Sequence, residues 1–259
     1  KGSDSLILNT LDSYSLHWDG EPIYQSKQRS LYDGWRHKFV TELDVYPCAC
    51  SRKKIREHSA LIGDEWIYSG FCKTHTTKNK IIRSYRINLP QPCPVSIDDA
   101  RLGLITDDLY KSSGDFVLFR PDGTLSYHLA SIVDDYHCGI NHVVRGEDLL
   151  LSSLRQAKIK NIMGQCNPKF LHLPLARNKE GQKLSKQNKA KSVDSNLASS
   201  TLFDALNFLS QEPPRELQTE NTNDIMAWAV ENWSIRNMRR KENNVTAGVA
   251  ARSTHNQAD

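Results

Sequence analysis

Three cysteines in the first third of the chain have a spacing that could bind a metal ion. Cys48 and Cys50 lie two residues apart, and Cys72 follows further along. Two thiolates on a tight turn can hold one small ion, and a third thiolate with one more donor completes the tetrahedron that structural zinc prefers. A set of free thiols in a polar segment is the alternative. The candidates for the fourth donor are Tyr68, His58 and His75.

A lysine-rich segment could bind phosphate groups. Lys183-Leu184-Ser185-Lys186-Gln187 follows the apolar run Leu173-Pro174-Leu175 within a charged stretch. Two ammonium groups and a hydroxyl on one loop can bind the triphosphate of ATP and stabilise the charge that develops as pyrophosphate leaves. Loops with several lysines are also common as plain solvated surface, so this segment alone does not decide between the two.

A third candidate is an arginine that stands beside a glycine. Arg145 and Gly146 end a short apolar run, and Tyr127 lies upstream. The guanidinium fork of an arginine can meet both oxygens of a carboxylate, and a tyrosine hydroxyl can add orientation. The alternative is that Arg145 forms an ordinary structural ion pair.

The elements that must position these residues alternate between two types. Apolar residues repeat at helical spacing in some segments and form short strand-like runs in others, and this alternation favours an α/β core. We predict helices at 4–16, 28–43, 127–135 and 149–163, the last one ended by Gly164, and strands at 81–87, 116–119, 142–145 and 170–173.

The remaining segments are less regular. Residues 48–80 are polar and basic and predict a small insert without an apolar core of its own, whereas 98–108 has the composition of a loop. Two amphipathic helices near the C-terminus predict a small bundle, with Thr222 as an N-cap. Residues 236–259 are polar and aperiodic, which predicts disorder.

Composition and charge narrow the class of protein. The chain has 259 residues, a net charge of +4 and six cysteines. No apolar run reaches the roughly 20 residues that cross a bilayer, and we see no signal region, so we expect a cytoplasmic protein without a disulfide scaffold. The net charge permits a nucleic-acid partner but does not require one. Glycine-rich phosphate loops are absent from the sequence, so nucleotide binding would use other groups.

Several short motifs occur in an order that resembles a known enzyme family. They are Leu16-His17-Trp18-Asp19-Gly20, Tyr46-Pro47-Cys48-Ala49-Cys50-Ser51-Arg52, Tyr68-x-x-x-Cys72, Tyr127-His128-Leu129-Ala130, Val133-Asp134-Asp135, His142 to Leu149, Arg155-Gln156, His172 to Ala176 and Lys183-Leu184-Ser185-Lys186. The set is similar to the class I glutamyl-type aminoacyl-tRNA synthetases, and its last motif is similar to their Lys-Met-Ser-Lys-Ser loop. The pattern of cysteines and the form Lys-Leu-Ser-Lys-Gln resemble the glutamyl-queuosine tRNA(Asp) synthetase branch.

This resemblance implies both a fold and a reaction. The fold would be an α/β, Rossmann-like class I catalytic domain over 1–195 with a zinc insert at about 46–80, then a helical part at 196–235 and a tail at 236–259. The reaction would activate L-glutamate with ATP and Mg²⁺, and would transfer the glutamate to queuosine in the anticodon of tRNA(Asp). We expect a monomer that does not bind membranes.

The resemblance also assigns roles to individual residues. Tyr127 and Arg145 would bind glutamate, and Lys186 would be the catalytic group that stabilises the departing pyrophosphate. The contacts to ATP would come from Lys183, Ser185 and Lys186. One Zn²⁺ per chain would be held by Cys48, Cys50, Tyr68 and Cys72.

The opening segment of the family has no match in this sequence. Its first strand and a His-Ile-Gly-His-like motif that binds ATP would precede Lys1-Gly2-Ser3. We therefore expect a fragment, a late assigned gene start or a degenerate protein, and little activity from residues 1–259 alone. The alternatives for function are a truncated glutamyl-tRNA synthetase that charges the tRNA 3′ end, and a non-catalytic zinc module that binds tRNA.

Overall fold

Helices and short strands alternate in a computed structural model of the chain, which describes residues 2–62, 65–178, 181, 183, 184 and 192–242, without the side chains of 239–242. The helices are α1 (Ser3–Ser13), α2 (Arg29–Glu42), α3 (Arg52–Glu57), α4 (Phe71–Thr74), α5 (Leu109–Ser112), α6 (Tyr127–His137), α7 (Leu150–Ile162), α8 (Ala198–Phe208), α9 (Thr222–Asn232) and α10 (Ile235–Glu242). The strands are β1 (Val45–Cys48), β2 (Ser59–Ile62), β3 (Glu65–Tyr68), β4 (Ser84–Ile87), β5 (Pro94–Asp99), β6 (Gly103–Asp108), β7 (Val117–Phe119), β8 (His142–Gly146) and β9 (Lys169–Leu173).

Residues 23–172 form one compact unit that contains three sheets. The four-stranded sheet has the order β6-β5-β9-β8, with β5 antiparallel to β6 and parallel to β9. The three-stranded sheet has the order β1-β4-β7, and β2 pairs with β3 in a separate hairpin. Strands that alternate with helices confirm the predicted α/β class.

The core of this unit lies between the sheets and the helices α2, α6 and α7. Its fully buried side chains include Phe39, Leu118, Leu129, Ile132 and Ile159. The predicted helices at 28–43, 127–135 and 149–163 are confirmed to within two residues at each end. Gly164 has a φ of +66°, which suits the left-handed position that follows a helix.

α7 differs from the other described helices because much of its buried surface is polar. It packs against β5 and α6. Its buried polar residues are Ser152, Ser153, Arg155, Gln156 and Lys160. Burying such groups is unfavourable unless each finds a partner, so the polar face of α7 indicates a functional or specific structural role.

The residues on either side of 23–172 form a second unit. Its helices α8 and α9 pack through a small apolar cluster with a 3₁₀ turn at Arg215–Thr219. The buried members of that cluster are Phe203, Leu206, Leu217, Ile225 and Ala229. Within the described ranges, none of the helices combines the length and apolar character required to span a membrane.

The loop predicted at 98–108 is wrong, because β5 and β6 form a hairpin there. Val95, Ile97 and Asp99 alternate inward along β5, with exposed residues between them. Two apolar residues and one aspartate on the inner face make a weak strand pattern, and the run of acidic residues resembles a loop. Buried Asp99 is stable in the interior because the protein supplies hydrogen bonds to it.

Two smaller predictions at the C-terminus also need correction. The N-cap of α9 is Asn221, whose side chain accepts a hydrogen bond from the Asp224 backbone N–H at 3.1 Å, and the predicted cap Thr222 is the first helical residue. The predicted disorder from 236 onward is wrong for 236–242, because α10 covers those residues. The rest of that tail lies outside the described residues.

Candidate active site and cysteine cluster

Arg145, near the end of β8, is held by two residues of α7. Its Nη2 donates hydrogen bonds to Ser153 Oγ and, at 2.8 Å, to Gln156 Oε1. Ser153 and Gln156 are three residues apart, so they lie on one face of the helix. Among the described residues, Nε is buried without a partner. Because both hydrogens of Nη2 are engaged, a ligand would have to meet another nitrogen of the guanidinium.

The partners of Arg145 are all neutral. The described residues place no carboxylate within 4.0 Å of its guanidinium, although other arginines of the same unit have such partners. Arg101 pairs with Glu147, and Arg155 pairs with Glu65. Among the described residues, Arg145 therefore forms no close ion pair.

Tyr127, the first residue of α6, lies beside Arg145. Burial lowers the pKa of the Arg145 guanidinium, and its electrostatic and hydrogen-bonding interaction with Tyr127 opposes that shift. The Tyr127 side chain is about half exposed. The structure thus brings together the two residues that the sequence predicted to bind glutamate: a half-buried cation and an accessible hydroxyl.

His128 follows Tyr127 and packs edge-on against Phe116. Burial lowers the pKa of His128 to about 4, and the positive charges of Arg155 and Arg145 act in the same direction. The imidazole is therefore neutral at physiological pH. Arg155 is paired with Glu65, whereas among the described residues Asp135 and Asp148 attract Arg145 only from beyond ion-pair distance.

The residues that support Arg145 were not predicted from the sequence. Gln156 belonged to one of the family-like motifs but had no assigned role, and Ser153 had no role at all. The available signal was their three-residue spacing on a helix whose other residues, such as Leu154 and Ala157, are apolar and buried. Polar residues at core positions usually have a specific hydrogen-bond partner.

The predicted metal ligands also come together. The Sγ atoms of Cys48, Cys50 and Cys72 all lie within 4.8 Å of one another. Cys50 Sγ is 3.5 Å from Cys72 Sγ, and the Tyr68 hydroxyl oxygen is 3.4 Å from the Sγ atoms of both Cys48 and Cys50. All three thiols are free. Three sulfurs and one oxygen thus surround a common point.

Local structure explains how distant residues reach this point. β1 ends at Cys48, and Ser51 caps α3 by accepting a hydrogen bond from the Lys54 N–H at 3.2 Å. The β2–β3 hairpin ends at Tyr68, and Gly70, with a φ of +77°, turns the chain into α4, which carries Cys72. The polar insert therefore has a small core after all, built around the cysteines.

The two histidines that were alternative fourth donors have a different role. His58 and His75 stack on Phe71, with ring centroids 4.5 and 3.8 Å away. Among the described residues, neither belongs to the group of clustered ligand atoms around Cys72. Tyr68 is therefore the fourth donor that the geometry favours.

Electrostatics differ between the clustered groups. Burial raises the pKa of the Cys48 thiol, but hydrogen bonds from Tyr68, the Cys50 backbone and Arg86 outweigh it and bring the pKa to about 7. Burial raises the pKa of Cys50 to about 11, and the neighbouring Cys72 contributes. Burial and the adjacent thiols also raise the pKa of Tyr68. Cys48 therefore ionises more readily than Cys50.

The lysine segment is described only in part. Arg177 and Lys183 form an antiparallel bridge, and the Leu184 N–H donates to the Ala176 carbonyl at 2.8 Å. Gly181, with a φ of +77°, lies in the turn between them. A narrow hairpin thus presents Lys183. The predicted ATP contacts Ser185 and Lys186 lie outside the described residues.

A scan of protein families matches residues 1–211 to the family described as tRNA synthetases class I (E and Q), catalytic domain. A glutamyl-Q tRNA(Asp) synthetase of Vibrio parahaemolyticus is 36% identical over 234 residues, which cover 90% of this chain and 76% of that protein. Another, from Neisseria gonorrhoeae, is 35% identical over 238 residues, which cover 90% of this chain and 79% of that protein.

Solved structures give the same fold. A crystal structure of a glutamate tRNA ligase from Elizabethkingia meningosepticum in complex with its amino acid superposes with a TM-score of 0.67 at 20% identity. The match covers 91% of this chain and 55% of the ligase chain, so this chain spans little more than half of that protein. On its family match and its relatives, the chain belongs to the class I (E and Q) tRNA synthetases, a family of ligases, and within them to the glutamyl-Q tRNA(Asp) synthetases.

Proposed function

We propose that the protein activates L-glutamate with ATP and transfers the glutamate to queuosine in tRNA(Asp). The names of its relatives supply the substrates. The observation that carries the proposal is Arg145, a half-buried cation that has only neutral protein partners and lies beside the accessible hydroxyl of Tyr127. An anionic ligand would complete this arrangement.

Glutamate would bind through its side-chain carboxylate. Arg145 Nη1 would donate to one carboxylate oxygen, and the Tyr127 hydroxyl would donate to the carboxylate from the solvent side. Hydrogen bonds between ionised groups are roughly twice as strong as those between neutral groups. Glutamine, which is neutral and presents an amide N–H₂, would gain less from the cation, and so the pocket would favour glutamate.

ATP would be activated by the lysine loop. In this proposal Lys183, Ser185 and Lys186 contact the phosphates. Lys186 stabilises the negative charge that moves onto pyrophosphate as the α-carboxylate of glutamate attacks the α-phosphorus. Mg²⁺ would accompany the nucleotide. Such catalysis depends on positioning and charge stabilisation rather than on a protein nucleophile.

The cysteine cluster would hold one structural Zn²⁺. With Zn–S bonds of 2.3 Å and a Zn–O bond near 2.0 Å, a tetrahedral site requires sulfurs about 3.8 Å apart and sulfur–oxygen distances of about 3.5 Å. The measured 3.5 Å between Cys50 and Cys72 and 3.4 Å from the Tyr68 oxygen are close to those values. Four protein donors leave no open position, so the ion would stabilise the insert and not take part in the reaction.

The transfer step can be tested by measuring which tRNA receives labelled glutamate. The complete gene product, ATP and labelled glutamate would be incubated with tRNA(Asp) that contains queuosine and with the same tRNA lacking it. We expect label only on the first, because the modified nucleoside is the proposed acceptor. Equal labelling of both tRNAs, or label at the 3′ end, would contradict the proposal and favour a glutamyl-tRNA synthetase.

Glutamate recognition is tested by Arg145→Lys. Lysine keeps the charge but loses the planar fork with which Arg145 can contact Ser153 and Gln156 through one nitrogen and a ligand through another. The loss of a charge-assisted hydrogen bond costs on the order of 1.5–3 kcal/mol, so we expect the KM for glutamate in pyrophosphate exchange to rise roughly ten- to a hundred-fold. The exposed Arg29→Lys is the matched control. An unchanged KM would show that Arg145 does not bind glutamate.

Metal binding is tested by elemental analysis of protein purified without chelators. We expect about one zinc per chain, because the cluster offers one closed tetrahedral site. Cys72→Ala should lose the metal and melt at a lower temperature, and Tyr68→Phe should bind zinc more weakly. Cys138→Ala, which changes an exposed thiol outside the cluster, should keep both properties. The absence of zinc from the unmodified protein would refute the site.

A further inference from the structure

A chain of buried hydrogen bonds leads from β5 to Arg145. Asp99 Oδ2 lies 2.7 Å from His172 Nδ1, and His172 Nε2 lies 2.6 Å from Ser153 Oγ. Ser153 Oγ in turn accepts from Arg145 Nη2. Asp99 is 4% exposed, and His172 and Ser153 are fully buried. The proposed reaction does not use these three residues directly.

Asp99 fixes the orientation of the His172 ring. Burial alone would raise the pKa of Asp99, but hydrogen bonds from His172 and from the backbone N–H groups of Leu102 and Arg101 outweigh it and lower the pKa. An ionised carboxylate can only accept, so His172 Nδ1 must carry a proton. Ser153 Oγ lies between His172 Nε2 and the Leu149 carbonyl, to which its hydroxyl can donate, and its oxygen accepts from Arg145 Nη2.

The turn between β5 and β6 also holds the backbone next to Arg145. Arg101 Nε donates to the carbonyl oxygen of His172, and its Nη2 donates to Glu147 Oε2 at 2.6 Å. Glu147 is two residues beyond Arg145 in the chain. The end of β5 thus supports Arg145 through His172 and Ser153 on one side, and through Glu147 on the other.

We infer that Asp99, His172 and Ser153 are positioning residues that orient Arg145 for the glutamate carboxylate. The inference rests on the proposed function. A serine held between His172 and α7 accepts from Arg145, which keeps Nη2 in place and directs the rest of the guanidinium toward the ligand. A fixed cation favours a carboxylate over an amide, because only the carboxylate carries the opposite charge.

Catalytic triads that activate a nucleophilic serine contain the same sequence of hydrogen bonds from aspartate to histidine to serine. Ser153 does not fit that role. It has no exposed surface, and its oxygen also contacts Arg145 and the Leu149 carbonyl, the latter at 3.2 Å. A substrate could not reach it without displacing α7. This series of hydrogen bonds therefore orients Arg145 and does not prepare Ser153 for nucleophilic attack.

The test compares Ser153→Ala with Ser152→Ala in the complete gene product, by pyrophosphate exchange with glutamate or glutamine. Ser152 is the adjacent buried serine of α7 and does not contact Arg145. We expect Ser153→Ala to raise the KM for glutamate about ten-fold or more, which is the effect of one hydrogen bond to a charged group. The preference for glutamate over glutamine should fall, while the KM for ATP and the melting temperature stay near those of Ser152→Ala.

Two substitutions of His172 provide a second, independent comparison. The longer His172→Gln places its amide near the former Nε2 and can still accept from Ser153, whereas His172→Asn places its amide near Nδ1 and keeps only the contact to Asp99. We expect the glutamine variant to retain more glutamate affinity and selectivity than the asparagine variant. If Ser153→Ala fails to fold, the comparison of the two His172 variants tests the inference by itself.

The outcomes separate the inference from the proposed function. If the unmodified protein does not use glutamate, the proposed function is wrong. If it uses glutamate, and Ser153→Ala leaves both the glutamate KM and the selectivity unchanged, the positioning role is wrong. An equal rise in the KM values for glutamate and ATP, or equal behaviour of the two His172 variants, would likewise overturn it, because either result indicates a general structural effect.

Discussion

A positive charge inside a protein must be satisfied by hydrogen bonds or by an opposite charge, and within the described residues Arg145 forms hydrogen bonds but no close ion pair. Its neighbours Ser153 and Gln156 satisfy one nitrogen, and Tyr127 adds a hydroxyl. Nearby Arg155 has a close carboxylate partner, whereas Asp135 and Asp148 attract Arg145 only from beyond ion-pair distance. We propose that Arg145 and Tyr127 together are complementary to a carboxylate.

α7 connects the site of Arg145 and Tyr127 with the cysteine cluster. Arg155, adjacent to Gln156 on the helix, donates to Ser113 at 2.7 Å and pairs with Glu65 of the β2–β3 hairpin. Asp115, two residues beyond Ser113, accepts from Lys73 Nζ at 2.7 Å, and Lys73 follows the clustered Cys72. The insert is thus anchored to the helix that holds Arg145. A metal that stabilises the insert would therefore also stabilise the surroundings of Arg145.

Sequence alone predicted the parts of this protein that rest on local patterns. The helices α2, α6 and α7 follow apolar periodicity, and the metal-ligand candidates follow from cysteine spacing. The hairpin of β5 and β6 was missed because Asp99 occupies an inward position, and its stability depends on His172, far away in the chain. The support of Arg145 by Ser153 was missed for the same reason: long-range hydrogen bonds leave no periodic signal.

A crystal structure of the complete gene product with bound glutamate would show whether Arg145 receives the side-chain carboxylate of glutamate. We expect a carboxylate oxygen about 3 Å from Arg145 Nη1, with the Tyr127 hydroxyl also in hydrogen-bonding range and Nη2 still on Ser153 and Gln156. A glutamate side chain bound elsewhere, with Arg145 unchanged or paired with a protein carboxylate, would contradict it.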